Sequence, residues 1–423
     1  MQDEFLNRSS RLDELPLQRA WIEIDLDAIA HNVQQLCQHL DPQTDLMAVV
    51  KADGYGHGAV AVAETAIAAG ATWLGVATVT EGIELRRAGI RVPILLMGAT
   101  HSAREVEAIA FWKIQPTISS FEQANRFSAA LAASPDALGP LPVHLILDTG
   151  MSRLGVCHRE AVAFVNHVRQ LPHLAIASVY SHLATADDPD PSTMRRQHQR
   201  YEAAIAQIRQ SGFCPPRLHL ANSAAALIGR VENRSLQYNM VRVGLALYGL
   251  YPAPHLASTL SLKPVLQVNA RITQVRRLEA GSGVSYGHRF VSDRPLKVAV
   301  AGIGYADGIP RNLSNRLEGL IQGRRVRQLG AITMDQIMLD VSEIEDVAAG
   351  DRVVLLGHSG DETITADDWA EMLGTISWEI LCGFKHRLPR IARLSTPISD
   401  SICFAQQSEQ VSEQQESEQV EKP

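Results

Sequence analysis

The run Ala48-Val49-Val50-Lys51-Ala52-Asp53-Gly54-Tyr55-Gly56-His57-Gly58 closes an apolar segment on a lysine and passes into a glycine-rich turn. A lysine at the mouth of a fold loses solvation. Its pKa then falls, and the neutral amine can attack a carbonyl. Taken alone, a strand-end lysine serves more often as a salt-bridge partner or a phosphate ligand. Four other runs carry polar residues where apolar segments end. They are Asp148-Thr149-Gly150-Met151-Ser152-Arg153-Leu154-Gly155, Ser181-His182-Leu183-Ala184, His219-Leu220-Ala221-Asn222-Ser223, and Arg242 followed by Val243-Gly244-Leu245. A serine at a helix start, with the backbone amides of Gly244 nearby, makes a phosphate cradle. Each residue has a plainer reading: Asn222 and Ser223 cap a helix, and Arg242 pairs with an acid. Their conjunction at one rim is what argues for a site.

The elements that must carry these residues alternate. Short apolar runs recur at 46–50, 73–78, 94–97, 116–119, 143–147, 176–181, 218–221 and 240–243, eight candidate strands. Helix-like stretches lie between them at 59–69, 81–88, 121–133, 159–170 and 193–210, with a short one at 224–228. Near-continuous apolar strands alternating with helices predict a parallel sheet covered on its outside. Eight such units in about 200 residues fit a (β/α)8 TIM barrel, in which chemistry sits at the C-terminal ends of the strands. From about residue 262 helical spacing gives way to strand-like runs at 265–272, 296–303, 326–332, 336–341 and 351–356. One late helix is expected at 366–373, opened by Thr365 as its N-cap. The reading is therefore an N-terminal barrel with a C-terminal mainly-β domain. Its bounds are an N-terminal extension at 1–18, the barrel at 19–258, the β domain at 259–398 and a tail at 399–423. The alternating segment 21–26 could be a strand that joins the β domain and ties the two ends of the chain together.

Composition narrows the classes. Hydrophobic residues make up 46% and charged residues 20% of the 423, near the globular average, so a sizeable core is expected. Acids outnumber bases 46 to 39, a formal charge of -7, which does not suggest a nucleic-acid or anionic-membrane binder. Cys37, Cys157, Cys214, Cys382 and Cys403 are scattered and never spaced as C-x-x-C, so no disulfide framework or metal site is expected. Residues 1–18 lack the apolar stretch of a secretory signal. The uncharged stretches 65–80 and 243–262 are poor membrane spans. The expected setting is soluble and cytoplasmic, without membrane or nucleic-acid partners. The Gln/Glu/Ser-rich end of the chain has too little apolar surface to offset its ordering entropy and is expected to be disordered.

The chain resembles the alanine racemases, pyridoxal-phosphate enzymes of fold type III. The run 48–58 is similar to their cofactor-lysine motif. Asp148–Gly155, Ala221-Asn222-Ser223 and Met240–Gly244 resemble later motifs in the same order. Gly283-Val284-Ser285-Tyr286-Gly287 resembles the catalytic-tyrosine motif, and Gly302–Gly308 with Thr333-Met334-Asp335-Gln336 complete the set over residues 21–393. The resemblance implies interconversion of L- and D-alanine, supplying D-alanine for cell-wall peptidoglycan, in a homodimer. It implies that Lys51 carries pyridoxal 5'-phosphate and acts as base toward D-alanine. Tyr286, from the partner subunit, would act toward L-alanine. A phenol with an ordinary pKa of about 10 needs cationic or hydrogen-bonding neighbours for that role, with His182 and the arginines as the source. Arg153 and the Met334 amide would hold the substrate carboxylate. Tyr55, Asn222, Ser223, Gly244 and Leu245 would bind cofactor. Arg242, which does not give up its proton, would face the pyridine nitrogen and keep it unprotonated, with His182 supporting it. Tyr305 would narrow the entrance. Two departures stand out: Ile146 where many members have a carbamylated lysine, and Trp378 where many have a phosphate-binding tyrosine. Serine as substrate, a non-catalytic pyridoxal-phosphate carrier and a fold-type III decarboxylase are the alternatives. The β domain with Tyr286 argues against the second, and the run 283–287 against the third.

Overall fold

A computed structural model describes residues 18–133, 139–231 and 234–393. The expected extension at 1–18, apart from Gln18, and the expected tail at 399–423 lie outside the described residues.

All eight expected barrel strands form. In order they are Asp45–Val49, Trp73–Val76, Ile94–Leu96, Gln115–Ile118, Leu141–Asp148, Leu174–Tyr180, Arg217–His219 and Met240–Val243. Each pairs in parallel with the next, and strand eight returns to strand one with Met240 opposite Asp45 and Arg242 opposite Met47. The sheet is thus closed and has no free edge to protect.

Side-chain alternation divides the packing. Leu46 and Ala48 join a large core between the strands and the outer helices, whereas Met47 points to the other face and packs with Trp73, Leu95 and Met240 inside the barrel. That interior is lopsided. Strands one to three and eight give it this apolar cluster, and strands four to seven give it Gln115, His144, Ser178 and His219. The rings of Trp73 and His144 meet edge-to-face at 5.5 Å although their strands are not neighbours, so they touch across the barrel.

The helices Ala59–Ala68, Val79–Arg87, Phe121–Ala132, Ala161–Arg169 and Ser192–Gln210 lie close to their expected places. Two more were not read from the sequence. Leu26–His39, capped by Asp25, buries Leu26, Ile29, Val33 and Leu36 at helical spacing. Ala103–Phe111 buries only Val106 and Ile109, a weak stripe, and its best local mark is the capping box between Ser102 and Glu105.

The β domain is built on the long strand Leu266–Leu278. Ala20–Asp25 pairs antiparallel with its first half, and Arg390–Arg393 pairs parallel on the outer side of Ala20–Asp25. The N-terminal segment therefore does join the β domain, between the domain's central strand and its last strand. Leu296–Ala301, Ile337–Asp340, Arg352–Ser359 and Glu318–Ile321 extend the sheet. The expected strand at 326–332 is shorter and earlier, Arg324–Arg327, because the chain leaves the ladder before Gly330, whose φ is +73°. The late helix Ala366–Leu373 is capped by Thr365 as expected, and a short unforeseen helix, Ser377–Cys382, follows it.

Candidate active site

Lys51 opens the turn that follows strand one. Ala52, Asp53, Gly54 and Tyr55 all have φ between 53° and 60°, one left-handed turn. Left-handed α conformation costs about 1–2 kcal/mol per non-glycine residue, so the surroundings must hold it. They do so from several elements. Glu81 Oε1 accepts from the Ala52 amide at 2.8 Å, and Asp53 Oδ1 accepts from Ala59, the first residue of the next helix, at 2.8 Å. From the end of the chain, Arg390 Nε donates to the Gly56 carbonyl at 3.1 Å. A Cβ on Gly56 would come within 2.6 Å of the Leu381 carbonyl oxygen, so only glycine fits there. Burial lowers the pKa of the Lys51 amine, the Arg153 charge adds to the fall, and Cys382 and Glu81 partly oppose it.

Arg153 is set by strand five. Asp148 Oδ1 accepts from the amides of Gly150, Met151 and Ser152 at 2.9, 3.0 and 3.1 Å, folding the loop back on itself. Ile146 is buried on the same strand opposite Tyr180 and lines a small cavity with Arg153 and His182. The departure from the expected lysine therefore lies beside Arg153. Arg153 itself is exposed and pairs with no acid among the described residues.

Arg242, on strand eight, is buried and surrounded by acceptors. It donates to the Ser181 and Leu220 carbonyls at 2.8 and 3.2 Å and lies 2.8 Å from His219 Nδ1 and 3.1 Å from His182 Nδ1. Its guanidinium sits 5.1 Å over the Tyr180 ring, which stacks on His219 with centroids 4.5 Å apart. Burial draws the Arg242 pKa down to about 10. His182 falls to about 3 through burial first, then through Arg242, Arg153 and Lys51. It is a neutral imidazole at neutral pH.

The expected phosphate residues also gather. Asn222 accepts from Ala225 and caps the helix Ser223–Ile228. Ser223 Oγ accepts from the Gly244 amide at 3.0 Å, and Leu245 opens the following 3-10 turn. A Cβ on Gly244 would stand 2.5 Å from the Tyr55 hydroxyl, so the missing side chain keeps this cradle open.

Tyr286, Tyr305 and Met334 lie on the β domain instead. The Tyr305 and Ala306 amides donate to the carbonyls of Thr333 and Met334 at 3.0 Å each, and Ser285 Oγ donates to Ala331 at 2.7 Å, so the three sit on adjoining loops. All are exposed: Tyr286 by 74%, Met334 by 52% and Tyr305 by 41%. The chain thus presents two clusters, one at the barrel mouth and one on the β domain. Trp378 is half-buried against the main core, and within its helix it is the Cys382 thiol, its pKa raised by burial, that acts on the Lys51 amine.

Sequence reading missed Glu81, Tyr180 and the polar side chains inside the barrel. The available signal was a polar residue at every second place in an apolar strand, as in Val143-His144-Leu145 and Leu218-His219-Leu220. No described helix is long and apolar enough to cross a membrane, and the described residues hold no cluster of three metal-ligating side chains.

Residues 24–252 match the model of the alanine racemase N-terminal domain and residues 265–392 that of the alanine racemase C-terminal domain. The chain is 62% identical to an alanine racemase of Nostoc sp. over 374 residues, covering 88% of this chain and 96% of that protein. It is 60% identical to one of Synechocystis sp. over 375 residues, covering 88% and 99%. Among solved structures, the alanine racemase of Bacillus anthracis with bound L-Ala-P superposes with a TM-score of 0.82 at 34% identity, covering 89% of this chain and 96% of that one.

Proposed function

The chain belongs to the alanine racemase family, and from that premise we propose how its own residues interconvert L- and D-alanine. Two clusters work as one site: the barrel mouth binds pyridoxal 5'-phosphate, and the β-domain patch of a second subunit closes over it. On this reading the barrel, expected at 19–258, holds the cofactor, and the β domain, expected from 259 onward and joined by the strand Ala20–Asp25, serves the partner.

The residues at the mouth fit that cofactor. A neutral amine is needed to bond an aldehyde, and the Lys51 amine is biased toward neutrality by burial and by Arg153. A phosphate needs donors and room, and Tyr55, Ser223 and the Gly244 and Leu245 backbone surround a place that a Cβ would fill. When bound, the cofactor supplies an electron sink that acidifies the substrate Cα–H. Arg242 would face the pyridine nitrogen as a donor, which would keep that nitrogen unprotonated and the sink weak and so restrain side reactions. Asn222, which caps the helix Ser223–Ile228, would fix the helix start that holds the phosphate.

The protein groups then hold and move protons. Lys51 Nζ takes or returns a proton on one face of Cα, and Tyr286 Oη of the partner subunit does so on the other. Arg153 and the Met334 amide of the partner subunit hold the carboxylate and so fix which faces are presented. His182, neutral and beside Arg242, offers the phenol a hydrogen-bonding neighbour. Tyr305 of the partner subunit narrows the entrance toward a methyl side chain. The product, D-alanine, serves peptidoglycan synthesis. A cytoplasmic setting is supported by the thiols of Cys37, Cys157, Cys214 and Cys382, which are unpaired among the described residues.

The observation that carries this reading is the division itself: a desolvated amine at the barrel mouth and an exposed phenol on another domain. Mixing two inactive variants tests it. Lys51→Ala and Tyr286→Phe chains, unfolded together and reassembled, should regain racemase activity, because a mixed dimer has one site with both bases. No regain in mixed dimers shown to form would refute the trans arrangement.

A further inference from the structure

Arg242 heads a continuous chain of hydrogen bonds that descends through the barrel interior. Its Nη1 lies 2.8 Å from His219 Nδ1, and His219 Nε2 lies 2.8 Å from Ser178 Oγ. Ser178 Oγ in turn lies 2.6 Å from His144 Nδ1, and His144 Nε2 lies 2.9 Å from Gln115 Oε1. These residues come from strands eight, seven, six, five and four in turn, and Gln115 opens strand four at the opposite end of the barrel from the mouth. His144, Ser178 and His219 are completely buried.

The two ends of the chain, a guanidinium that can only donate and an amide oxygen that can only accept, set the same direction for every bond between them. A guanidinium can only donate, so His219 Nδ1 accepts. A neutral imidazole carries one proton, which then sits on Nε2 and points to Ser178 Oγ. The serine hydroxyl has a single proton, and with His219 donating to its oxygen that proton goes to His144 Nδ1. The remaining His144 proton is on Nε2 and reaches Gln115 Oε1, an oxygen that can only accept. Both imidazoles are neutral in this scheme, in keeping with the lowering of their pKa values by burial and by nearby arginines. The opposite scheme fails at Ser178. A His144 proton on Nδ1 would point at the hydroxyl from one side and His219 from the other, leaving the buried hydroxyl proton without an acceptor among its partners.

We propose that Ser178, His144 and Gln115 are positioning residues that lock His219 in its Nε2–H form and so hold Arg242 as a pure donor at the cofactor ring. This rests on the reading above that Arg242 faces the pyridine nitrogen. Arg242 Nη2 is occupied by the Ser181 and Leu220 carbonyls and His182, and Nη1 gives one proton to His219. Nε–H and the second Nη1 proton remain for the ring. If the chain is cut at Ser178 or His144, His219 is free to carry its proton on Nδ1. That places an N–H against an Arg242 N–H, and the guanidinium must turn away. A merely structural role, satisfying polar groups inside a closed barrel, would cost stability without touching Arg242.

The first measurement needs no variant. Nitrogen-15 spectra of the histidine-labelled protein, with and without cofactor, should show His144 and His219 neutral and protonated on Nε2. A proton on Nδ1 of His219 would overturn the proposal. The second uses Ser178→Ala, His144→Phe and His144→Asn in the folded holoenzyme. Asparagine keeps an oxygen where Ser178 needs an acceptor. The readouts are the absorbance of bound pyridoxal and the ratio of transamination, in which the amine stays on the cofactor and pyruvate leaves, to racemisation. Ser178→Ala and His144→Phe should raise that ratio about ten- to a hundredfold, and His144→Asn should stay within about threefold of the parent. Unchanged absorbance and ratio in Ser178→Ala and His144→Phe would refute the inference. Arg242→Gln separates the two levels. If it shifts both readouts while the interior variants shift neither, only the inference fails. If it too shifts neither, the placing of Arg242 at the ring nitrogen fails first.

Discussion

Lys51 and Tyr286 are assigned the same task on opposite faces of one carbon, yet their surroundings are opposites. Lys51 sits on a left-handed turn held by Glu81, Asp53 and Arg390, with its amine half withdrawn from water. Tyr286 stands 74% exposed on a short 3-10 turn. The physical lesson is that burial acts with opposite sign on the two groups. It favours the neutral form of each, which makes an amine a base but keeps a phenol an acid. The buried tyrosines of this protein show the penalty: Tyr55, Tyr180, Tyr201 and Tyr248 all have their pKa values raised by burial. On the proposed reading, the Tyr286 phenol avoids that penalty by standing outside the core and meeting the barrel's cations only when two subunits assemble.

Several measurements can break or sharpen that contrast. The largest effect belongs to Lys51→Ala, expected to lower racemisation in both directions by at least about a thousandfold and to remove the absorbance of lysine-bound pyridoxal. Racemisation retained by that variant would end the assignment. Tyr286→Phe should lower kcat/KM in both directions by about a hundred- to a thousandfold while cofactor stays bound, because the equilibrium constant ties the two directions together, and should slow α-deuterium exchange from L-alanine more than from D-alanine. Because its side chain is exposed, stability should change by less than about 0.5 kcal/mol, and a large drop in melting temperature would mean a structural role.

Acid stability probes the barrel half alone. His144 and His182 are held near pKa values of about 3 by burial, against about 6.5 when unfolded. Between those limits the unfolded chain binds more protons, so stability is complete above about pH 6.5 and falls as pH drops toward 3. Each histidine adds a slope of up to about 1.4 kcal/mol per pH unit. Melting curves between pH 7.5 and 4.5 should show this, and His144→Asn should flatten the slope. A smaller effect is expected from Gly244→Ala, whose methyl would displace the Tyr55 hydroxyl and weaken pyridoxal phosphate binding about tenfold, read by titration of the cofactor-free protein. The smallest comes from Glu81→Gln. It keeps an acceptor for one of the amides of Ala52, Ala77 and Thr78 but loses the charge, and should cost about 1 kcal/mol in thermal unfolding.

Much of the fold was legible because closed parallel barrels write themselves in short apolar runs, and all eight were placed. The helix Leu26–His39 is marked by the spacing of Leu26, Ile29, Val33 and Leu36, whereas Ala103–Phe111 and Ser377–Cys382 bury too few residues to leave a pattern. The rim residues Lys51, Arg153, His182 and Arg242 were legible because polar groups that end apolar strands are conspicuous. Their neighbours Glu81 and Cys382 were not, since nothing local marks an acid on a helix or a thiol far down the chain as belonging to Lys51.

By itself the sequence determined the order and type of the elements, the strand-end placement of the chemistry-bearing side chains and, through its motifs, the family. Those properties depend on local periodicity and on residue identity at fixed spacing. Tertiary structure alone decided which residues share a charge environment, that His144, Ser178 and His219 line up beneath Arg242, and that Tyr286 lies exposed. Register around a closed barrel and desolvation are sums over residues distant in the chain. No window of sequence contains them, and they are what lower the pKa of a lysine at a strand end.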